Sequence, residues 1–220
     1  MVATPTTNST RLAGLKVAVD VQHLYRPHKP RDQGAEFVLR DGTRITEAAG
    51  VLQYAAALVL ALEAWGAMVL RNNPQTKTLF GHYSTRNREA NGWDADAYLA
   101  CHLNAGRGSY AAMEHLAGTA GALLGDELGR RLTTVFPEIL NAKTVPLVRG
   151  QRGAVCVQEC KPWVAAVIVE PFFGDNPAHQ SLLAPARLKL LGETLAEGVA
   201  RWWERHGATR TVASRIDGTP

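Results

Sequence analysis

The sequence predicts an α/β fold: one domain built on a mostly parallel, mixed sheet with helices on both faces, its polar groups gathered at the C-terminal ends of the strands. Three observations carry that expectation. Short apolar or β-branched runs (Leu15–Val21, Tyr98–Cys101, Val164–Val169) read as strands buried on both faces, and they alternate with longer stretches of helical character. Each of these runs stops at or just before a group able to bind or react, namely His23, His102 and Glu170. The chain has 220 residues, 46% hydrophobic and 20% charged, enough for one well-formed core and leaving little room for a second. The expected division is a flexible lead over 1–11, a folded domain over 12–207 and a flexible tail over 208–220.

In chain order, Leu15–Val21 is the first strand. Arg26–Asp41 carries His28, Arg31 and Asp32 between prolines and a glycine and reads as a long loop over the ligand face. Thr46 can cap the helix of Ala48–Trp65, which puts Glu47 in its first turn. A strand over Ala67–Arg71 and a short helix over Thr85–Trp93 lead to the run that ends at His102. This βαβα order implies parallel strands covered by helices. Ala111–Val135 reads as mostly helical, with Glu114 in it and His115 on a surface flank. Pro137–Pro162 reads as irregular, with two short strands around Arg149-Gly150-Gln151-Arg152-Gly153, a basic turn that is either solvated or in contact with substrate. After the Val164–Val169 strand, Ser181–His206 reads as an amphipathic helix whose Trp202 and Trp203 pack on the sheet. No internal repeat is visible.

Composition narrows the partners. The formal net charge is +4, and arginine outnumbers lysine eighteen to six, which suits an anionic polymer. Nucleic acid is not expected, because the chain has neither a basic run nor basic and aromatic residues interleaved. Met1–Arg11 lacks an apolar core of signal-peptide type, so the expectation is synthesis in the cytoplasm. Ala48–Leu62 reads as a buried core helix, and stable membrane insertion is not expected. Three cysteines are an odd number and fit a reducing site of synthesis. Cys101 should point away from His102 into the core. Cys156 and Cys160, about 13 Å apart in an extended segment, read as two buried thiols and not as a bridge or a zinc pair.

His23, Glu47 and His102 together form two imidazoles and one carboxylate, the donor set of many catalytic zinc sites that keep a fourth position open. A single histidine at a strand end is also commonly a hydrogen-bonded structural residue. Glu170, delivered by its strand to the same end, is the candidate proton carrier, with a surface ion pair as its alternative role. Asn104 can bind a metal ligand or substrate, or cap the backbone. His28 sits on a loop with no strand or helix to fix it, and Tyr25 and Arg26 receive no role.

Taken together these residues resemble the zinc-dependent N-acetylmuramoyl-L-alanine amidases of amidase type 3. The matching pieces are Asp20 with His23, Asp32-Gln33-Gly34-Ala35, Glu47, His102-Leu103-Asn104-Ala105, and Glu170 with Phe173 and Asn176, in the family's order from about Leu15 to about Trp203. The glycines that usually flank the first histidine are replaced here by Gln22 and by Leu24-Tyr25. The resemblance implies that His23, Glu47 and His102 hold zinc, that Glu170 moves the proton, and that the bond cut joins N-acetylmuramic acid to L-alanine in peptidoglycan. The 67 residues between His102 and Glu170 leave no room for the blocking helix of some members, so no activator protein is expected. A phage or prophage lysis enzyme, acting on the cell wall after release, fits this pattern. The alternatives are a zinc peptidase or deacetylase acting on another wall bond, or a wall-binding module without catalysis.

Overall fold

A computed structural model describes the backbone of residues 10–216 and the side chains of residues 10–207. Among the described residues the strands are β1 (Lys16–Val21), β2 (Glu36–Val38), β3 (Arg44–Thr46), β4 (Met68–Arg71), β5 (Ala97–Cys101), β6 (Tyr110–Leu116), β7 (Asn141–Leu147) and β8 (Ala165–Glu170). The helices are α1 (Glu47–Ala64), α2 (Tyr83–Gly92), α3 (Gly121–Val135) and α4 (Pro185–Ile216). A six-stranded sheet runs in the order β4-β1-β5-β8-β6-β7, and β2 and β3 form a separate antiparallel hairpin. All neighbouring pairs in the large sheet are parallel except β6 and β8. This is the mixed, mostly parallel sheet that the alternation of elements predicts.

The period-2 alternation of the strands sorts the core onto two faces. Val17, Val19, Leu99, Val167 and Val169 pack with α1, α3 and α4, while Ala18, Tyr98, Ala100, Ala166 and Ile168 pack with Ala90 of α2 and with Cys156 and Cys160. Helices thus cover both faces, unequally. α1 is long and apolar enough to cross a membrane by composition alone, but more than half of it is buried in the fold, where it packs on α4, β1 and β4.

Several expectations are corrected. Residues 110–116 are not helical but form β6, and α3 begins only at Gly121, after a turn at Gly118 with φ of 76°. Alanine, methionine, glutamate and leucine favour helices in isolation, and here the place between β8 and β7 overrides that weak preference. His115 is consequently buried, not on a surface flank, with Nδ1 3.1 Å from the carbonyl of Leu116. In 137–162 one strand, β7, precedes the basic turn, and a 3₁₀ turn (Ala154–Cys156) follows it where a second strand was expected. The Arg26–Asp41 loop contains β2 and thereby half of a hairpin. The predicted tail over 208–220 is helical backbone as far as Ile216, because nothing between Ala208 and Ile216 breaks the helix. The predicted lead over 1–11 and the end at 217–220 fall mostly outside the described residues. Arg11 is inside them and is fastened, with ion pairs to Glu197 at 2.5 Å and Glu204 at 2.6 Å.

The C-terminal end of β1 is tied down by a buried ion pair. Asp20 and Arg86 of α2 are both fully buried, with Arg86 Nη1 2.6 Å from Asp20 Oδ1. Asp20 also accepts from Asn72 Nδ2 at 2.9 Å, Tyr98 Oη at 2.5 Å and Gln22 Nε2 at 2.5 Å. Arg86 spends its remaining donors on the carbonyls of Val21, Leu24 and Gly81. Such a pair is costly to desolvate and much more costly to break. Replacing the guanidinium in Arg86→Met should lower stability by about 3–5 kcal/mol in urea unfolding, since Asp20 is left buried and charged. A loss under about 1 kcal/mol, the range of exposed pairs, would show that the pair carries little of the fold.

Candidate metal centre and catalytic cleft

Each candidate ligand is placed by a different element. His23 follows the end of β1 and lies in the left-handed region, φ 62°, as does Tyr25 at φ 54°. These are positions where the resembling family places glycine nearby, and a side-chain-bearing residue there is strained. The turn is held by the Arg86 hydrogen bonds to the Val21 and Leu24 carbonyls and by Gly81 N–H donating to the Tyr25 carbonyl at 2.9 Å. Glu47 is the first residue of α1. Thr46 caps that helix by accepting from the Ala49 N–H, and the carbonyls of Ala35 and Gln33 accept the N–H groups of Glu47 and Ala48. His102 follows β5, its N–H donating to the Val169 carbonyl of β8 and its carbonyl accepting from Tyr54 Oη at 2.8 Å.

These three side chains converge, with one donor atom from each lying within 4.8 Å of the others. Glu47 Oε1 is 3.4 Å from His23 Nε2 and 2.8 Å from His102 Nδ1, and it accepts from the Leu103 N–H at 3.2 Å. Glu47 Oε2 accepts from the Ala35 N–H at 3.0 Å. That close approach explains the Gly-Ala step: Gly34 has φ of 72°, and a Cβ on it would fall 2.8 Å from Glu47 Cδ. Behind His23, Nδ1 meets Asp32 Oδ1 at 3.0 Å, and Asp32 is held in turn by the Gly34 N–H at 3.1 Å and by Arg26 Nη1 at 2.8 Å. A carboxylate behind an imidazole fixes the ring and its tautomer, the arrangement usual behind metal-binding histidines.

The charges are mutually adjusted. Burial works against an ionised Glu47, but the hydrogen bonds from His102 and His23 prevail and hold its carboxyl well below the usual range. Burial likewise opposes protonation of His23, and Glu47 and Asp32 overcome it, so this imidazole is raised. Glu170 goes the other way: burial, then the charges of Glu47 and Glu114, push it well above the usual carboxylate range. Its Oε2 is buried and has no hydrogen-bond partner.

His23, Glu47, His102, Glu114, Arg152 and Glu170 line one open cleft of about 480 Å³. Asn104 lies at its edge, where its Oδ1 accepts from the Ala105 N–H at 2.8 Å and its backbone bonds to Phe172 and Gly174. These contacts are all to backbone. Phe173 packs under Gly108, where a Cβ would come within 2.5 Å of its ring, and Asn176 Nδ2 donates to the Gly108 carbonyl at 2.7 Å, so both shape the 104–109 loop. His28 is exposed beside His82, Tyr25 stacks on Phe80, and Arg26 is buried over Tyr83. Of the basic turn, Arg149 faces Glu159 at 3.8 Å, and Arg152 is exposed and lines the cleft, so the turn is solvated and also borders the site.

Two residues of the cleft escaped sequence reasoning. Glu114 points to it because β6 pairs with β8 in a register that sets Ala112 opposite Glu170 and Glu114 opposite Ile168, on the same face. Reading 110–116 with period 2 would have exposed it. Cys156 lies on the cleft wall, and all three cysteines are free and buried.

The fold is that of the N-acetylmuramoyl-L-alanine amidases. The chain is similar to Ami1 of Mycobacterium smegmatis, an N-acetylmuramyl-L-alanine amidase (14% identity, TM-score 0.70, 88% of this chain and 99% of that one). It is similar to the catalytic domain of CD27L, an endolysin targeting Clostridia difficile (19%, TM-score 0.56, 85% and 97%). It is also similar to Cwp6 from Clostridium difficile (19%, TM-score 0.69), where it covers 86% of this chain but only 29% of Cwp6. No family model and no curated protein matches this chain.

Two outcomes test the geometry. Gly34→Ala should fold yet bind zinc at least about 10-fold more weakly, the usual effect of disturbing what supports a ligand, as read by chelator competition; unchanged affinity would remove the close approach from the account. In zinc-free protein, Glu170→Gln should raise stability. The raised pKa means that Glu170 supports folding only while protonated, and this support fades as pH climbs above about 4 through its folded value. The variant's urea midpoint should therefore exceed that of wild type at pH 7 and approach it at pH 4, whereas an equal difference at both would contradict the burial of this carboxyl.

Proposed function

We propose that the chain is a zinc-dependent N-acetylmuramoyl-L-alanine amidase that hydrolyses the amide between N-acetylmuramic acid and L-alanine of peptidoglycan. The single observation behind this reading is the convergence of His23, Glu47 and His102 in an open cleft that is also lined by Glu170, whose buried Oε2 has no hydrogen-bond partner. The donor set fits zinc: two imidazoles, one carboxylate kept ionised by its neighbours, and an outer carboxylate, Asp32, behind His23. Zinc held there supplies Lewis acidity towards water and towards the scissile carbonyl.

The remaining steps belong to the chain. Glu170 has a proton affinity lifted by burial, which suits a group that takes a proton from the attacking water and gives it to the departing L-alanine nitrogen. Glu47 and Glu170 are both glutamates, and their surroundings drive their pKa values apart, the mark of a ligand and an acid/base. Arg152 at the rim is suited to the acidic stem peptide.

The same donor set serves other amides, so a zinc peptidase or deacetylase acting on the wall is the second reading. The presence of Glu170 argues against an inactive wall-binding module. A lysis role, in a phage or prophage enzyme made in the cytoplasm and acting on the wall after release, is supported by the likeness to the endolysin catalytic domain. The segment between His102 and Glu170 supports action without an activator: α3 packs on β6, β7, β8 and α4 and not over the cleft.

Purified protein should therefore clear a peptidoglycan suspension without a partner, lose that activity to a chelator, and release new L-alanine N-termini. Glu170→Gln should retain zinc but lose about 10²- to 10⁴-fold in rate, the usual contribution of general acid/base catalysis. Glu47→Gln should lose zinc and activity together. Near-normal lysis by Glu170→Gln would take Glu170 out of the mechanism, and wall products lacking alanine N-termini would favour the second reading.

A further inference from the structure

The two imidazoles present different nitrogens to Glu47. His23 offers Nε2 and turns Nδ1 outward to Asp32, whereas His102 offers Nδ1, which leaves its Nε2 on the outer side. A histidine that coordinates through one nitrogen carries its proton on the other, and that N–H needs an acceptor when buried. His102 is 8% exposed, and the atom facing its Nε2 is Cys156 Sγ at 3.8 Å.

We infer that Cys156 is a positioning residue for His102: with Nδ1 turned to a metal, its sulfur accepts the Nε2–H and holds the ring in that orientation. The sulfur is not a fourth ligand, since the group of convergent donor atoms comprises His23, Glu47 and His102 alone among the described residues. Its placement is independent of the metal. Cys156 ends a 3₁₀ turn whose closing N–H donates to the Gly153 carbonyl at 2.9 Å, and Asn87 Nδ2 of α2 donates to the Cys156 carbonyl at 2.9 Å. The thiol is 5% exposed and packs with Ile168 and Ala100, so its position is set by the core before any ligand arrives. Sulfur is a weak acceptor, and the contact is long, so it orients the ring without binding it tightly. Asp32 does the corresponding work for His23 as an anion.

This inference rests on the metal reading, and the test separates the two. Thr and Val share one shape and differ in whether an acceptor is present, so Cys156→Thr and Cys156→Val isolate the acceptor from packing. Proton–nitrogen NMR on zinc-loaded protein reads the exchange protection of the His102 Nε2–H, and chelator competition reads zinc affinity. Wild type and Cys156→Thr should keep a protected Nε2–H. Cys156→Val should lose that protection and bind zinc about 10-fold more weakly, the lower end of what an outer partner of a ligand contributes. Val behaving as wild type in both readouts, or Thr falling as far as Val, would overturn the inference. If Cys156→Val does not fold, Cys156→Ala takes its place with the same expectation. Wild-type protein that binds no zinc would end the metal reading and this inference with it, whereas zinc binding that Cys156→Val leaves intact would end the inference alone.

Discussion

The first candidate ligand stands where a buried guanidinium holds a strained turn. The backbone at His23 and Tyr25 adopts a left-handed conformation that costs on the order of 1–3 kcal/mol per residue and persists only where its surroundings enforce it. Arg86 enforces it through the carbonyls of Val21 and Leu24, and Asp20 neutralises Arg86 in the absence of water. Asp20 in turn gathers Asn72, Tyr98 and Gln22, so that the ends of β1 and β4 and the middle of β5 meet at one carboxylate. α2 supplies none of the candidate ligands, yet it decides where the first of them stands. With Gln22, Leu24 and Tyr25 and no glycine around His23, the chain holds this turn by an ion pair.

Glu47 organises the second half of the site. One carboxylate meets two imidazoles and two backbone N–H groups, from Ala35 and Leu103, each from a different part of the chain. Such a group is stable as an anion despite its burial because almost every lone pair is matched. Glu170 has the opposite surroundings, with a buried oxygen that no donor reaches and two other carboxyl groups nearby. The two glutamates of the cleft thus differ in how far hydrogen bonding answers their burial.

Much of this was legible in the sequence because the informative residues sit where regular structure ends. Apolar runs stopping at His23, His102 and Glu170, and a Thr46 cap ahead of Glu47, locate four side chains by local rules alone, and the structure brings all four to one cleft. What escaped depended on neighbours distant in the chain. The β6 residues are helix formers that become a strand only because β8 and β7 flank them, and with that strand went Glu114. Cys156 reads as a core thiol, which it is, but its neighbour across the core is an imidazole 54 positions earlier. Arg152 shares the cleft with Glu114 and Glu170, residues far from it in the chain. Spacing says little about such contacts, since they are set by sheet order and not by periodicity.

Sheet order also bears on how the protein is made. β8 lies between β5 and β6 but follows both in the chain, so on a ribosome those two strands emerge with a strand-wide gap between them and an unpaired edge on each side. All three candidate ligands have been synthesised by then. The carbonyl of Val169 that receives the His102 N–H and that of Phe172 that receives the Asn104 N–H have not, nor has Glu170. A nascent chain halted before residue 165 therefore contains every ligand residue, but neither the strand that frames the third ligand nor the carboxyl assigned to proton transfer. The candidate site is thus completed by the last strand of the chain, and no shorter nascent chain has all of its parts.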